Sequence, residues 1–152
     1  MMRTLLIVIF AAGFLGCGKQ KFKNSDVKAL NPLDFPNIDN TVYGAWKNNV
    51  PETGDKGLTK NTNVYFNLSG QMGYQVTCEQ FAEKLTVGLS YPATITGNVV
   101  SVAQDIHLLQ KGAGQLAECE LNFAQGSWEF SVSFDNLNIR DDKRSLSFSR
   151  IR

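Results

Sequence analysis

The chain has 152 residues, of which 15 are Lys or Arg and 14 are Asp or Glu, so its formal net charge is +1 at pH 7. This length allows one domain with a substantial core and is short for two. The charges nearly cancel, and after about residue 30 the sequence has no cluster of basic residues. Because a protein that binds nucleic acid needs a basic face, the sequence argues against nucleic acid as a partner.

The N-terminus has the parts of an export signal. Arg3 provides a short basic start, the apolar run LLIVIFAAGFLG follows, and the run ends on a small residue, Gly16. As a helix this run would be roughly 18 Å long at about 1.5 Å per residue, whereas the hydrocarbon core of a bilayer is about 30 Å thick. The sequence therefore predicts an exported and processed chain rather than a transmembrane helix.

The junction between this run and the polar stretch behind it is Gly16–Cys17. In these features the N-terminus resembles the signal peptide and lipobox of bacterial lipoproteins. The resemblance implies that residues 1–16 are removed, that Cys17 carries lipid such as palmitate, and that residues 17–40 are a flexible tether. The membrane is then the first partner, and the expected location is the cell envelope, at the outer membrane facing the periplasm or the surface. The alternative is ordinary cleavage after Gly18, which would release a secreted soluble protein.

The chain has three cysteines, Cys17, Cys78 and Cys119. In an oxidising compartment, one of three cysteines would remain an unpaired, reactive thiol. Lipidation of Cys17 would leave the other two cysteines to pair. Cys78 and Cys119 are then predicted to form a disulfide that closes a loop of about 40 residues, which the chain-entropy model values at about 4 kcal/mol. Two buried free thiols are the alternative.

From residue 41 onward the apolar residues recur with the period of a β-strand. Short alternating segments such as NVYFNLS, QMGYQVTC, AECELNF and GSWEFSVSF are separated by turn signals, namely SG at 69–70, GN at 97–98, DN at 135–136 and DDKR at 141–144. Cys78 and Cys119 both fall on the apolar, inward side of their segments, a position that suits a buried bridge between strands.

About eight short strands joined by tight turns predict an all-β domain over residues 41–152. An antiparallel up-and-down barrel is favoured because successive hairpins predominate, and a two-sheet β-sandwich is the alternative. In CEQFAEKL, Phe81 and Leu85 lie four residues apart among good helix formers. This spacing predicts a short helix near residues 79–85.

A second resemblance concerns the start and the end of this domain. TVYGAWKN places Gly44 and Trp46 in the G-x-W pattern of the first strand of lipocalin-like small barrels, and FSRIR places Arg150 in the last strand. The layout of residues 42–152 is similar to that family. The resemblance implies that Arg150 stacks on the Trp46 ring across a closed end of the barrel and donates hydrogen bonds to carbonyls of the first strand.

Motifs for catalysis or metal binding are weak. His107 and Asp105 share one side of a strand and could be metal ligands or a base with its orienting carboxylate, but an exposed polar strand face is the favoured interpretation. Gly112, Gly114 and Ala117 have the spacing of a dinucleotide fingerprint. A strand follows where the fingerprint needs a helix, so a hairpin loop is expected.

The neighbouring carboxylates do not suggest acid–base chemistry either. Glu118 and Glu120 fall on an outward strand face, and Asp141 and Asp142 fall in a turn, whereas paired catalytic carboxylates must face a common cavity. The sequence therefore predicts no catalytic residue, no metal ligand and no cofactor, and the protein is not expected to be an enzyme.

The residues favour a binding module for a small apolar ligand. Inward aromatic side chains would contact the ligand in the barrel mouth, and the candidates are Phe66, Tyr74, Phe130 and Phe134. The alternative is that these side chains fill the barrel interior. The domain would then be a structural or interaction lipoprotein whose loops or sheet edge contact another envelope protein.

Overall fold

The computed structural model describes residues 29–152, and in this range the protein is all-β and antiparallel. Two short 3-10 helices cover Pro32–Asp34 and Asp55–Gly57. The strands of the described range are β1 Gly44–Asn48, β2 Glu52–Thr53, β3 Thr59–Phe66, β4 Gln71–Gln80, β5 Glu83–Pro92, β6 Thr94–Thr96, β7 Val99–Val102, β8 Ile106–Lys111, β9 Glu118–Phe123, β10 Gly126–Ser133, β11 Asn136–Arg140 and β12 Ser145–Arg150. None of its helices has the length and apolar character needed to cross a membrane. The predicted signal, residues 1–16, and Cys17 lie outside the described residues.

One large sheet curls into a half-barrel. Its strands follow the order β5-β4-β3-β1-β12-β11-β10-β7-β6, and β2 pairs with β3 alone. The first and last strands are neighbours, with Trp46 opposite Arg150. Strands β8 and β9 form a separate two-stranded sheet that packs against β4 and β5. The all-β antiparallel prediction is confirmed. The strands of the described range outnumber the predicted eight, and β2 and β6 are short additions of two and three residues.

The inner face of the half-barrel carries the hydrophobic core. Alternate residues of β3, β4 and β9 are buried there, as the period of two predicts, and they include Val64, Phe66, Met72, Tyr74, Val76, Leu121 and Phe123. Trp46 and Trp128 are also almost completely buried. Since each fully buried large apolar side chain contributes about 1.5–3 kcal/mol, this face stabilises the sheet more than its short turns do.

The predicted disulfide between Cys78 and Cys119 is confirmed. Its sulfur atoms are 2.07 Å apart and the two Cα atoms are 5.7 Å apart. Both residues are buried, and the bond ties β9 of the small sheet to β4 of the large one. A buried disulfide indicates an oxidising, extracytoplasmic compartment, because cytosolic thiols are kept reduced.

The short helix predicted near residues 79–85 does not form. Strand β4 continues to Gln80, β5 begins at Glu83, and these two residues face each other across a two-residue turn. Phe81 and Ala82 make this turn with positive φ angles of 52° and 62°. The prediction is wrong because local helix propensity is weak beside the continuous pairing of β4 with β5 along their whole length.

Ordered packing begins before residue 41, the predicted start of the domain. Leu30 and Phe35 are buried on the outer face of the sheet beside Tyr65. The ring centroids of Phe35 and Tyr65 are 5.0 Å apart, and the backbone N–H of Leu30 donates to Oε1 of Gln75 at 2.6 Å. The part of the predicted tether that follows Ala29 is therefore packed on the half-barrel.

Candidate binding site at the open end of the half-barrel

One end of the half-barrel, which we call the closed end, is sealed by the chain itself. Here β1 begins and β12 ends, and the guanidinium carbon of Arg150 lies 4.0 Å from the ring centroid of Trp46. Arg150 donates hydrogen bonds to the carbonyl oxygens of Tyr43 at 3.0 Å and Thr41 at 2.9 Å. Its side chain is only 2% exposed. Since its donors are directed at the protein, this end offers a ligand little access.

Gly44 is required at the closed end for two reasons. Its φ angle of 133° lies in the region that favours glycine. A Cβ at this position would also overlap Oδ1 of Asn37 and lie 2.8 Å from Nη1 of Arg150. The structure thus brings Gly44, Trp46 and Arg150 into one packed cluster.

The opposite end is open because β1 stops early. Strand β1 pairs with β3 on one side and β12 on the other, but it ends at Asn48, and β2 then pairs with β3 alone. Beyond Asn48, β3 and β12 have no common neighbour between them. A cavity of about 280 Å³, which we call the open-end cavity, occupies this gap. Its lining includes Asn48, Glu52, Thr62, Tyr74, Arg144 and Phe148.

Buried side chains form the floor of the open-end cavity. Tyr74 and Phe148 supply two aromatic rings, and the buried Thr62 on β3 also lines the cavity. Burial raises the pKa of Tyr74 to about 12, while Arg144 acts to lower it and Glu52 to raise it. Tyr74 is therefore a neutral phenol near pH 7, able both to donate and to accept a hydrogen bond.

A row of side chains in mutual contact connects this floor to the rim. The ring centroids of Tyr74 and Phe123 are 4.7 Å apart, and those of Phe123 and Trp128 are 4.9 Å apart. The guanidinium carbon of Arg144 lies 4.7 Å from the Trp128 centroid. The row starts on β4, passes through β9 and β10, and ends in the turn after β11. The packing of these three strands therefore determines the position of the Arg144 side chain.

The open-end cavity thus combines an aromatic floor with a rim that carries one acidic and one basic side chain, Glu52 and Arg144. No family model, curated protein or solved structure matches this chain. The chemistry of the cavity is therefore inferred from its own residues. The cavity lining mixes the apolar or aromatic side chains of Val50, Tyr74, Leu146 and Phe148 with polar ones, and this arrangement suits a small molecule that has both an apolar body and a polar head.

The four aromatic residues predicted to contact a ligand lie in different places. Tyr74 lines the open-end cavity, whereas Phe66 is fully buried next to the closed end, opposite Gly44. Phe130 is half-buried and lines a separate depression on the sheet. Phe134 requires a correction, since it is 82% exposed at the tip of the β10–β11 turn with a φ of 51°. The inward alternation of β10 ends where that two-residue turn begins.

Sequence reasoning did not assign Glu52, Arg144 or Phe148 to a site. Glu52 belongs to a two-residue strand and Arg144 to the DDKR turn, positions that a hydrophobic pattern leaves to solvent. Glu52 and Arg144 line the same cavity because β1 ends at Asn48. In the sequence, this end is signalled by Pro51, since proline cannot donate a ladder hydrogen bond in a central strand.

The histidine and its nearby carboxylates lie away from the cavity. His107 is exposed on β8, and its Nδ1 atom is 3.4 Å from Oε1 of Glu120. Asp105 instead accepts a hydrogen bond from the backbone N–H of Gln125 at 2.8 Å. Within residues 29–152 no group of three or more His, Cys, Asp or Glu side chains could hold a metal ion.

The glycine loop after β8 holds a carboxylate of the chain itself. Glu83 on β5 accepts hydrogen bonds from the backbone N–H groups of Gln115 at 3.1 Å and Leu116 at 2.7 Å. A Cβ at Gly114 would overlap this carboxylate. The loop connects β8 to β9 as a hairpin, so its N–H groups fix the small sheet to β5.

Proposed function

We propose that this protein is an exported binding module, not an enzyme, and that it holds a small molecule with a mainly apolar body in the open-end cavity. The observation that carries the proposal is the cavity itself, because it places the rings of Tyr74 and Phe148 beneath a polar rim. Its volume of about 280 Å³ is at the lower limit of ligand pockets, which favours a small ligand.

Binding at this cavity is tested with phenylnaphthylamine, an uncharged probe that fluoresces in apolar surroundings. We expect saturable binding of one probe per chain. Leu146→Trp should abolish it, because Leu146 is a half-buried residue of the cavity lining that a larger side chain would push into the space. The matched control is Leu68→Trp, since Leu68 is 72% exposed in the β3–β4 turn at the closed end.

Thermal unfolding of both variants checks that they fold. Loss of probe binding in a folded Leu146→Trp protein, with full binding in Leu68→Trp, supports the proposal. Equal binding by both variants would show that the probe sits elsewhere, and absence of binding to the wild-type protein would count against a binding function.

The proposal includes attachment to the cell envelope by lipid on Cys17. The disulfide supports an extracytoplasmic location, and the N-terminal resemblance to lipoproteins supports the lipid. Cys17→Ser should move the protein from the membrane fraction to the soluble fraction, and the intact mass of the mature wild-type chain should show the added lipid. A variant that still floats with membranes would contradict the anchor.

A second candidate, a role in contacting an envelope protein, is favoured by one observation. Phe134 is exposed on a turn that is held firmly, because Asp135 accepts hydrogen bonds from Arg152 at 2.6 Å and 2.8 Å. A bulky residue with positive φ is unusual and costs free energy. Phe134→Ser should then abolish co-purification of a stoichiometric partner from detergent-solubilised envelope, with Leu68→Ser as the exposed control.

A further inference from the structure

The arginines of the C-terminal strands and turns differ in how their guanidinium groups are used. Arg140 donates to Glu129 at 2.6 Å and 2.9 Å, and Arg152 donates to Asp135. Within residues 29–152 the guanidinium group of Arg144 has no hydrogen-bond acceptor. Arg144 does form an ion pair with Asp141, but Nε lies 3.8 Å from Oδ2 of Asp141, which is beyond hydrogen-bond distance.

Arg144 is nevertheless held in place. Oδ1 of Asp141 accepts hydrogen bonds from the backbone N–H groups of Lys143 and Arg144, each at 2.8 Å, and the backbone N–H of Asp141 donates to the carbonyl of Arg144 at 3.0 Å. The hydrogen bond from the Lys143 backbone N–H, together with the one from the Arg144 backbone N–H, keeps the pKa of Asp141 below its usual range. The guanidinium carbon lies over the ring of Trp128. A planar group of N–H donors is thus fixed at the rim of the cavity without an acceptor.

We propose that the ligand of the open-end cavity is a small monocarboxylate whose carboxylate accepts paired hydrogen bonds from Arg144. Its apolar body would lie against Tyr74 and Phe148. This inference depends on the proposed binding function and adds the chemical class of the ligand. A stacked guanidinium matches a carboxylate because two of its N–H groups can donate in parallel to the two oxygens.

Glu52 limits the choice of ligand. It is exposed at the same cavity, and no ion pair involving it occurs within the part of the chain that the structure describes. Its negative charge disfavours a second anionic group on the ligand, whereas a single carboxylate can lie at Arg144 and away from Glu52. The pair therefore favours a monocarboxylate over a dicarboxylate or a phosphate dianion.

The test compares two probes of the same size, phenylpropionate and its uncharged amide phenylpropionamide, by calorimetric titration of the purified, unreduced protein. We expect the carboxylate to bind at least about tenfold more tightly than the amide, since hydrogen bonds to a charged group are worth that much. Arg144→Gln should remove this preference by lowering the carboxylate affinity more than the amide affinity, because the amide accepts at most one uncharged hydrogen bond at this place. Arg144→Lys should restore only part of it, because an ammonium lacks the paired donors.

The matched control is Arg140→Gln, which removes a neighbouring arginine that is already paired with Glu129 and does not line the cavity. It should change neither affinity. Equal affinity for both probes, or a preference that survives Arg144→Gln, would overturn the inference and leave the cavity as a binding site. If neither probe binds while phenylnaphthylamine does, the inference fails alone. If none of the three binds, the proposed function fails with it.

Discussion

Each end of the half-barrel has an arginine stacked on a tryptophan, but the two pairs differ in what surrounds them. At the closed end Arg150 lies 4.0 Å from the Trp46 centroid, has a side chain 2% exposed and donates to backbone carbonyls. At the open end Arg144 lies 4.7 Å from the Trp128 centroid, and its side chain is 45% exposed. The same two residue types therefore complete the fold at one end and leave charged donors available at the other.

The largest effect is expected from the disulfide, because it holds the small sheet beneath the open end. In the strand register Cys78 lies opposite Lys60, and Lys60 lies opposite Glu52 on its other side. The disulfide is therefore at the same level of the sheet as the cavity. Cys78→Ala with Cys119→Ala should lower the free energy of unfolding by about 4 kcal/mol, measured in urea. Hydrogen exchange should accelerate in β9 more than in β1 and β12. Equal acceleration at both ends would contradict the distinction between them.

The two arginines should differ in their effect on stability. Arg150→Ala leaves the carbonyls of Thr41 and Tyr43 without a partner and uncovers Trp46, so it should cost about 3 kcal/mol. Arg144→Ala removes a half-exposed side chain with no hydrogen bond to lose and should cost less than about 1 kcal/mol. Urea unfolding measures both, and similar losses would refute the assignment of separate roles.

Alkaline pH should weaken the open end through Tyr74. Burial raises its pKa to about 12, so the neutral phenol stabilises the folded state fully below pH 10, and this contribution is lost as the pH rises from 10 to about 12. The loss should be about 2 kcal/mol. Burial also raises the pKa of Tyr65, so the comparison is with Tyr74→Phe, whose stability should fall less over the same range. Parallel pH curves would count against a buried phenol at the cavity.

The smallest effect is expected from Glu52→Gln. Removing this exposed carboxylate from the rim should tighten phenylpropionate binding by about threefold, because screened surface charges interact by less than about 1 kcal/mol. The affinity for phenylpropionamide should change less, because the amide carries no charge for Glu52 to repel. A weaker carboxylate affinity in this variant would mean that Glu52 assists the ligand instead of repelling it.

Most of the fold could be predicted from the sequence because alternation along a strand is a local signal. The period of two placed Tyr74, Cys78 and Cys119 on the inner face, and turn signals located most hairpins. The excursion of β8 and β9 from the meander could not be predicted, since it depends on long-range packing against β4 and β5. The same is true of Phe81, where pairing between strands outweighed a weak helical preference.

The candidate site was harder to predict than the fold. Tyr74 is detectable because it alternates inward, but Arg144 is a turn residue that follows three charged residues. Its role depends on a Trp128 ring that the sequence places sixteen positions earlier and that the β10–β11 hairpin brings alongside it. Such a contact between a turn and a strand leaves no periodic trace in the sequence.

The most direct measurement is a nuclear magnetic resonance titration that follows the indole N–H signals of the two tryptophans as phenylpropionate is added. Trp128 lies under Arg144, whereas the indole of Trp46 donates to the carbonyl of Val42 at 2.8 Å in the closed end. Ligand at the open end should shift the Trp128 signal in a saturable way and leave the Trp46 signal in place. A shift of Trp46 alone, or of neither signal on binding, would contradict a ligand site at the open end.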